Sequence, residues 1–343
     1  MRRAPGRTGI ARLIRTIDAH AGGGPVRMIV DGLPQVTGRS MGERQVSLTR
    51  RDRHLRQALL GEPRGARHLT GALLTEPETE GAHAGVLFLR ASGCPPFSGH
   101  AIIAVATIAV ERHLTTTDPS KWDRLSLDTV AGNVIARPTI QLRAPGPEGD
   151  GALRVSMVAY EGPPASVVAA GLPVVVRGRA LRADLVASSG LLALVDGEAA
   201  GVPLHLEATP ELQRAAAEAM SAMAGAVRRV APEAAVDAIV FTSPADAPDA
   251  DLRSVTVRAD GAVERSPSGR GTAAVMAVLD AMGLVPDERR LVHEGPAGLR
   301  FEARVLRRFD LQGRPAIVPE ISGSAWITGE HTFVIDPDDP LTS

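Results

Sequence analysis

Lysine and cysteine are almost missing from this chain. Of its 38 basic residues one is a lysine, Lys121, and the rest are arginines. A Schiff-base lysine would have to be Lys121, in the loop-like run TTTDPSKWD, so pyridoxal phosphate or aldolase-type imine chemistry is not expected. The single cysteine, Cys94, excludes an intrachain disulfide, a CxxC redox motif and a multi-cysteine zinc site. Aromatic residues make up 3% of the chain, too few for platforms on which bases stack. An excess charge of one sign is lacking too. The 38 basic and 39 acidic residues leave a net charge of −1, which is no footprint for nucleic acid or an anionic membrane surface. No run approaches the roughly 18 apolar residues of a membrane span. The N-terminal stretch MRRAPGRTGIARLIR is basic but has neither the apolar centre nor the cleavage pattern of a secretory signal, so a cytoplasmic location is expected. No HExxH or comparable ligand spacing occurs. Gly22, Gly23 and Gly24 form a tight-turn run with no GK[ST] after it. Neither a metal nor another cofactor is expected.

What is present is a chain of 343 residues, 44% hydrophobic and 22% charged, long enough for two ordinary domains. Short apolar runs bounded by Gly, Pro and Asp predict strands at Arg27–Val30, Gly85–Arg90, Leu125–Thr129, Val134–Arg137, Leu153–Val158, Pro173–Val176, Ala238–Thr242, Ser254–Ala259 and Arg300–Val305. A short helix is predicted over Asp52–Leu60, stopped by Gly61 and Pro63. A longer one is predicted over Pro210–Arg229, with Thr209 as its cap and Arg228 and Arg229 at its end.

Two further helices carry the argument. One begins near Ser98 in PPFSGHAIIAVATIAVERHL, the other near Ser268 in RSPSGRGTAAVMAVLDAMGL. Each has proline just upstream, then Ser-Gly, then an almost wholly apolar helix. A helix apolar all round must be buried. The two serines are 170 positions apart, about half the chain. The pattern is a weak internal repeat, two α+β halves with strands wrapped about one buried helix each. The expected division is a disordered arm over 1–12, a first domain over 13–150 and a second over 151–325. A terminal segment, 326–343, returns to the first domain. The Pro/Gly-rich stretch Arg143–Gly151 marks the boundary.

Taken singly, either serine is accounted for as a helix N-cap. The pairing adds a functional reading. If the halves face each other, two helix N-termini converge on one cleft, with backbone N–H groups of Gly99, His100, Gly269 and Arg270 pointing into it. Such a site suits an anion, most naturally a carboxylate.

At these residues the sequence resembles the proline racemase superfamily, which includes hydroxyproline 2-epimerases and trans-3-hydroxyproline dehydratases. The resemblance runs from about Ile14 to Leu341. It is carried by IDAHAGGGPVRMIVDGLP, HLRQALLGEPRGARHLTGALL, FSGHAIIAVAT, LDTVAGNV, DLRSVTVRADGAVERSPSGRGTAAVMAVL, VHEGPAGLRFEARV and VPEISGSAWITGEHTFVIDPDDPL. It implies the diaminopimelate-epimerase-like fold, two pseudo-symmetric domains each built around a central helix. It also implies cofactor-free chemistry at the Cα of a proline-like imino acid. In racemases and epimerases of the family, two cysteines face each other across that carbon, one removing the α-proton and the other delivering one. The matching positions are Ser98 and Ser268. Dehydratase relatives keep one cysteine as base and carry a hydroxyl residue at the other position.

A serine hydroxyl is a far weaker acid than a thiol, and a helix dipole worth about 1–2 kcal/mol does not close that gap. Two-base racemisation is therefore not expected, and dehydration of trans-3-hydroxyproline is favoured over it. The resemblance implies substrate contacts at Gly99, His100, Gly269, Arg270, Gly271 and Thr272. The family's aspartate for the substrate amine is replaced by Glu264, a further candidate base if burial raises its pKa. Arg270 stands where relatives have a small threonine, and can crowd the pocket or pair with an anion. Ser188 and Ser189 replace paired glycines, and Leu191 and Leu192 replace aromatics. Cys94 reads as a packing residue, and His20 and Asp18 as structural. The expected partner is a small proline-like imino acid, with a homodimer as the assembly. The competing expectation is a silent relative that binds a small imino-acid carboxylate or serves as a partner subunit.

Overall fold

A computed structural model of the chain describes residues 11–51, 53–114, 122–142, 153–285 and 289–341. Lys121 and the expected boundary Arg143–Gly151 lie outside the described residues, as does the expected arm as far as residue 10. The rest of that arm does not fit the expectation, because Arg12 already opens the first strand, paired with Ile335.

The first half of the chain runs β1 (Arg12–Ala21), β2 (Gly24–Asp31), α1 (Met41–Arg51), α2 (Arg53–Leu60), β3 (Thr70–Thr75), β4 (Ala84–Leu89), α3 (Gly99–Glu111), β5 (Leu125–Thr129), β6 (Gly132–Leu142) and β7 (Leu153–Glu161). The second runs β8 (Ala165–Val176), β9 (Arg179–Ala187), β10 (Leu191–Asp196), α4 (Gly197–Ala200), α5 (Thr209–Val230), β11 (Ala238–Ser243), β12 (Leu252–Arg258), α6 (Gly269–Ala281), β13 (Leu291–Glu294), β14 (Arg300–Leu311) and β15 (Arg314–Gly323). A last strand, β16 (Ala325–Ile335), pairs antiparallel with β1.

Among the described residues all sixteen strands belong to one mixed sheet, and its pairing order repeats. From β1 to β7 the successive pairs are antiparallel, parallel, antiparallel, parallel, antiparallel and antiparallel. From β9 to β15 the sequence of pairings is the same. Parallel neighbours need a crossover, and helices supply it: α3 links β4 to β5, and α6 links β12 to β13. Strands β8 to β15 close into a ring through the β14–β15 and β15–β8 pairs. The two halves join where β15 pairs with β7.

α3 and α6 occupy the two interiors because they have no polar face to offer water. Every residue of α3 from Gly99 to Val110 is buried, and its strand neighbours include β1, β2, β3, β6, β7 and β16. α6 is buried from Gly271 to Ala277, against β8, β9, β10, β14 and β15 among others. One apolar cluster runs through both halves and contains both helices. Two satellite clusters lie outside, one beneath α5 and one beneath α1 and α2. The predicted Pro210–Arg229 helix lies within α5, but Thr209 is its first residue and not its cap. Its hydroxyl donates backwards to the Leu206 carbonyl at 2.6 Å.

Candidate active site

Two loops of matching composition lead into the central helices. Arg90, Ala91, Ser92 and Gly93 follow β4; Arg258, Ala259, Asp260 and Gly261 end and follow β12. Each makes a tight turn. The Arg90 N–H donates to the Gly93 carbonyl at 2.7 Å, and the Arg258 N–H to the Ala262 carbonyl at 2.9 Å. The two turns meet where Ser92 Oγ donates to Asp260 Oδ2 at 2.9 Å.

Beyond these turns the helix starts abut. A Cβ built on Gly99 would lie 2.9 Å from the Cα of Gly269, and the reverse holds. The hydroxyl of Tyr160, on β7, sits beside both glycines, fully buried and, among the described residues, without a hydrogen-bond partner. Burial pushes its pKa up, so it stays a neutral phenol. The first N–H groups of any helix lack an intrahelical acceptor. Two positive helix ends are thus brought to one place.

Ser98 and Ser268 flank this contact, both buried. They are not equivalent. Ser98 has extended backbone and its hydroxyl does not cap α3; Oγ lies 3.5 Å from Nδ1 of His100. Ser268 has φ of +62°, a conformation a non-glycine residue adopts only when its surroundings impose it. Its Oγ accepts from the N–H of Gly271 at 3.2 Å. That capping bond takes the Gly271 donor. Both Thr272 donors are also taken: its N–H goes to the Ser268 carbonyl at 2.7 Å, and its hydroxyl lies 2.8 Å from Nδ1 of His293. His293 is held on its other nitrogen by Ser254 Oγ at 2.8 Å. Thr272 braces the first turn of α6, whereas the resemblance implies a substrate contact there.

Electrostatics decide the state of the remaining groups. Burial by itself would raise the Glu264 carboxyl. Arg90, Arg258 and Arg270, with a smaller pull from His100, outweigh it and hold the group down to about 2. The condition under which Glu264 would be a base poised near neutrality is not met, because the positive charges of three arginines, one of them in contact, act on it. Arg90 Nη2 stands 3.5 Å from Glu264 Oε1. Burial holds His100 down to about 4, against the pull of Glu264. It is neutral at pH 7, and its Nε2 is buried without a partner among the described residues. Among the described residues no group of three or more His, Cys, Asp or Glu side chains gathers as a metal-binding set.

A cleft of about 600 Å³ opens beside the start of α6, between the two matching turns and the Ser189–Gly190 corner. Arg270 reaches along it and donates to the Ser189 carbonyl at 3.3 Å. Cys94 lies on its rim, half-buried. A larger cavity, about 1030 Å³, lies between residues 29–39 and Thr75–Pro77 and includes none of the helix-start residues. Asp18 holds Arg27 and takes no part in the cleft.

Sequence reasoning missed Arg90, Arg258 and Tyr160. A signal for the arginines exists. Both runs, LFLR-ASG and VTVR-ADG, end an apolar strand in Arg-Ala-x-Gly shortly before Ser-Gly. The internal repeat therefore begins well upstream of the two serines. Nothing local marks Tyr160.

The sequence matches the proline racemase family over residues 16–343. It is 31% identical to a trans-3-hydroxy-L-proline dehydratase of Bacillus cereus, covering 97% of each chain. It is 32% identical to a 4-hydroxyproline epimerase of Brucella suis, over 95% of this chain and 96% of the other. Its fold is similar to the crystal structure of a hydroxyproline epimerase from Agrobacterium vitis with bound trans-4-hydroxy-L-proline, with a TM-score of 0.80 at 24% identity over 96% of this chain and 94% of that one. This chain belongs to the proline racemase family.

Proposed function

We propose that this protein acts at the Cα of a proline-like imino acid without a cofactor, and that it dehydrates trans-3-hydroxyproline in preference to racemising or epimerising proline derivatives. The observation that carries this is the placement of Ser98 and Ser268 at two abutting helix starts, with a thiol at neither. The family relation, which includes a dehydratase at 31% identity, supports the same reaction class. We further assign the architecture to the diaminopimelate-epimerase-like class, with domains over 13–150 and 151–325. The repeated strand pairing supports that assignment.

In this reading the N–H groups of Gly99, His100, Gly269 and Arg270 hold the substrate carboxylate and the negative charge that develops on it. The ionised Glu264 balances the ring ammonium. His100 Nε2, neutral and unpartnered, is the available proton acceptor. The Cα–H bond breaks and its electron pair forms the Cα–Cβ double bond. The C–O bond at Cβ breaks as well, and the hydroxyl leaves as water with a proton from the Ser98 hydroxyl, which is reprotonated by His100 across the 3.5 Å between Oγ and Nδ1. The product is an unsaturated ring acid. No proton has to be delivered to the opposite face, so a second acidic thiol is not required.

A second reading is favoured by one observation. Glu264 at about 2 and His100 at about 4 leave neither candidate base titrating near neutrality. A protein that binds the imino acid and leaves it unchanged fits that arrangement. The two readings separate in deuterated water. The full chain is incubated with L-proline, 4-hydroxyproline and trans-3-hydroxyproline, and α-proton exchange and loss of the β-hydroxyl are followed by NMR. Calorimetry with pyrrole-2-carboxylate reports binding. Exchange with loss of the hydroxyl supports dehydration. Binding with no exchange supports the silent reading. Neither binding nor exchange overturns both.

A further inference from the structure

We propose that His293 is a positioning residue: acting through Thr272, it fixes the two peptide units that flank Ser268, and with them the direction of the Gly269 N–H at the start of α6. This rests on the reading that the carboxylate of an imino acid binds at the helix starts.

The first argument compares the two halves. The parallel strand pairs joined by the central helices have matching registers: Leu252 pairs with His293, and Ala84 with Leu127. Arg258 lies six residues after Leu252, as Arg90 lies six after Ala84. In the same frame Ser254 matches Val86, and counting from the two site serines Thr272 matches Ile102. All six side chains are buried. The first half thus fills these places with Val86, Leu127 and Ile102, and the second with Ser254, His293 and Thr272. Apolar residues meet the packing need, and buried polar groups are costly unless hydrogen-bonded. What the polar set adds is its hydrogen bonds.

The second argument is where those bonds lead. The Thr272 N–H donates to the Ser268 carbonyl at 2.7 Å, an ordinary helical bond that Ile102 also makes to Ser98, at 3.0 Å. The Thr272 hydroxyl adds a bond that Ile102 cannot make: it donates to the Pro267 carbonyl at 3.5 Å. These two carbonyls belong to the peptide units on either side of the Ser268 Cα, and the orientations of those units are its φ and ψ. Ser268 has φ of +62°, whereas Ser98 has φ of −150°. The half with the hydroxyl chain is the half whose site serine is held in the left-handed region. The unit after Ser268 also carries the Gly269 N–H, so the direction of that donor is set along with it.

The third argument is a count of protons. A carbonyl only accepts, and the threonine hydroxyl has one proton to give. With that proton on the Pro267 carbonyl, Thr272 Oγ1 accepts from His293 Nδ1 at 2.8 Å. Nε2 of the neutral ring then carries no proton and accepts from Ser254 Oγ at 2.8 Å. Burial keeps the ring neutral by holding it down to about 3. In the reverse direction the hydroxyl proton would go to Nδ1 and the Pro267 carbonyl would lose its donor. Among the described residues no backbone N–H donates to that carbonyl. His293 is thereby the tautomer with its proton on Nδ1, fixed by the groups it joins.

Nitrogen-15 NMR of the full chain reads the tautomer, with the His293 ring signals identified by their loss in His293→Asn. A protonated Nδ1 and a bare Nε2, unchanged between pH 8 and pH 5, are expected; a protonated Nε2 overturns the proposal. The backbone amide signals of Ser268 and Gly269, and the calorimetric affinity for pyrrole-2-carboxylate, are then compared in the native protein, Thr272→Val, His293→Leu and His293→Asn. Thr272→Val and His293→Leu shift both amides and weaken binding tenfold or more. His293→Asn, whose side-chain amide still has a proton to donate to Thr272, recovers part of each. Arg27→Met, destabilised outside the site, keeps the native affinity, so lost stability by itself does not produce the change. Two substitutions at different links of the chain keep the comparison usable if one fails to fold. Amides or affinity unchanged in both overturn the proposal. If the native protein does not bind pyrrole-2-carboxylate, the imino-acid reading fails by itself, and the tautomer and the amide shifts still decide this inference.

Discussion

Gly99 and Gly269 stand so close that a Cβ on either would fall 2.9 Å from the other's Cα and 2.1 or 2.2 Å from the hydroxyl of Tyr160. Both have ordinary negative φ, so close approach and not backbone conformation requires glycine here. The glycine that follows each site serine is what lets two helix N-termini abut.

Adding a methyl at that contact should be costly. Gly269→Ala is expected to destabilise the protein by about 1–3 kcal/mol, the usual range for overpacking a tight interior. Tyr160→Phe should be neutral or stabilising, because it removes a buried hydroxyl that has no partner. Urea unfolding midpoints check both. A destabilised Tyr160→Phe would mean that the hydroxyl is satisfied in solution.

The second expectation concerns acid. His100 and His293 are held down to about 4 and about 3 by burial, from an ordinary value of 6.5. The unfolded chain therefore binds protons that the folded chain refuses, and stability falls as pH drops below about 6.5. The loss from His100 is complete only below its folded value near 4. Glu264 adds to it lower down. Its folded value is depressed, so its contribution is present above 4.5 and is lost as pH falls toward 2. Unfolding midpoints at pH 7, 5.5 and 4 should decline, and His100→Asn should flatten the slope between 6.5 and 4.

Restoring thiols should restore two-faced chemistry. In the double variant Ser98→Cys with Ser268→Cys, two thiols stand at helix N-termini, where thiolates are favoured. Racemisation or epimerisation should then appear or rise by about 10²–10⁴-fold, the usual contribution of acid–base groups. Either single cysteine should support α-proton exchange without inversion. Polarimetry and deuterium NMR separate the two outcomes. A double variant that binds a proline analogue yet exchanges nothing would leave these serines as structural residues only.

Arg27 offers a control outside the site. Its Nε and Nη2 donate to the Asp18 carboxylate at 3.0 and 2.7 Å, and its Nη1 donates to the carbonyls of Leu59 and Arg64, each at 2.6 Å. Arg27→Met takes the guanidinium from a partly buried carboxylate that keeps the Thr16 hydroxyl at 3.2 Å and His331 Nε2 at 3.7 Å, and should cost about 1–3 kcal/mol. Unfolding by urea measures the loss. Affinity for pyrrole-2-carboxylate in the folded fraction should stay as it is in the native protein.

The central helices were legible because their information is local. Twelve consecutive buried residues, Gly99–Val110, announce an interior helix without knowledge of any partner. Many strand segments were legible for the same reason, as in AGVLFL of β4, which is buried throughout. Strands β1, β9, β14 and β16 carry charged residues outward and depend on their neighbours, so only Arg300–Val305 of β14 was anticipated among them. The capping role of Ser268 and its absence at Ser98 differ through backbone angles that no pattern encodes.

By itself the sequence determined that two Ser-Gly helix starts exist, that both helices are buried, and that neither start carries a cysteine. Those are properties of residue type and spacing. Only the tertiary structure decided what surrounds the serines. Tyr160 comes from a strand joining the halves, Arg90 and Arg258 from strand ends 168 residues apart, and Arg270 from the helix beside Glu264. Their charges act on Glu264 through space, and distance in space is set by the fold and not by position along the chain. That is why burial alone pointed to a raised carboxyl, while the arginines the fold gathers around it keep it ionised.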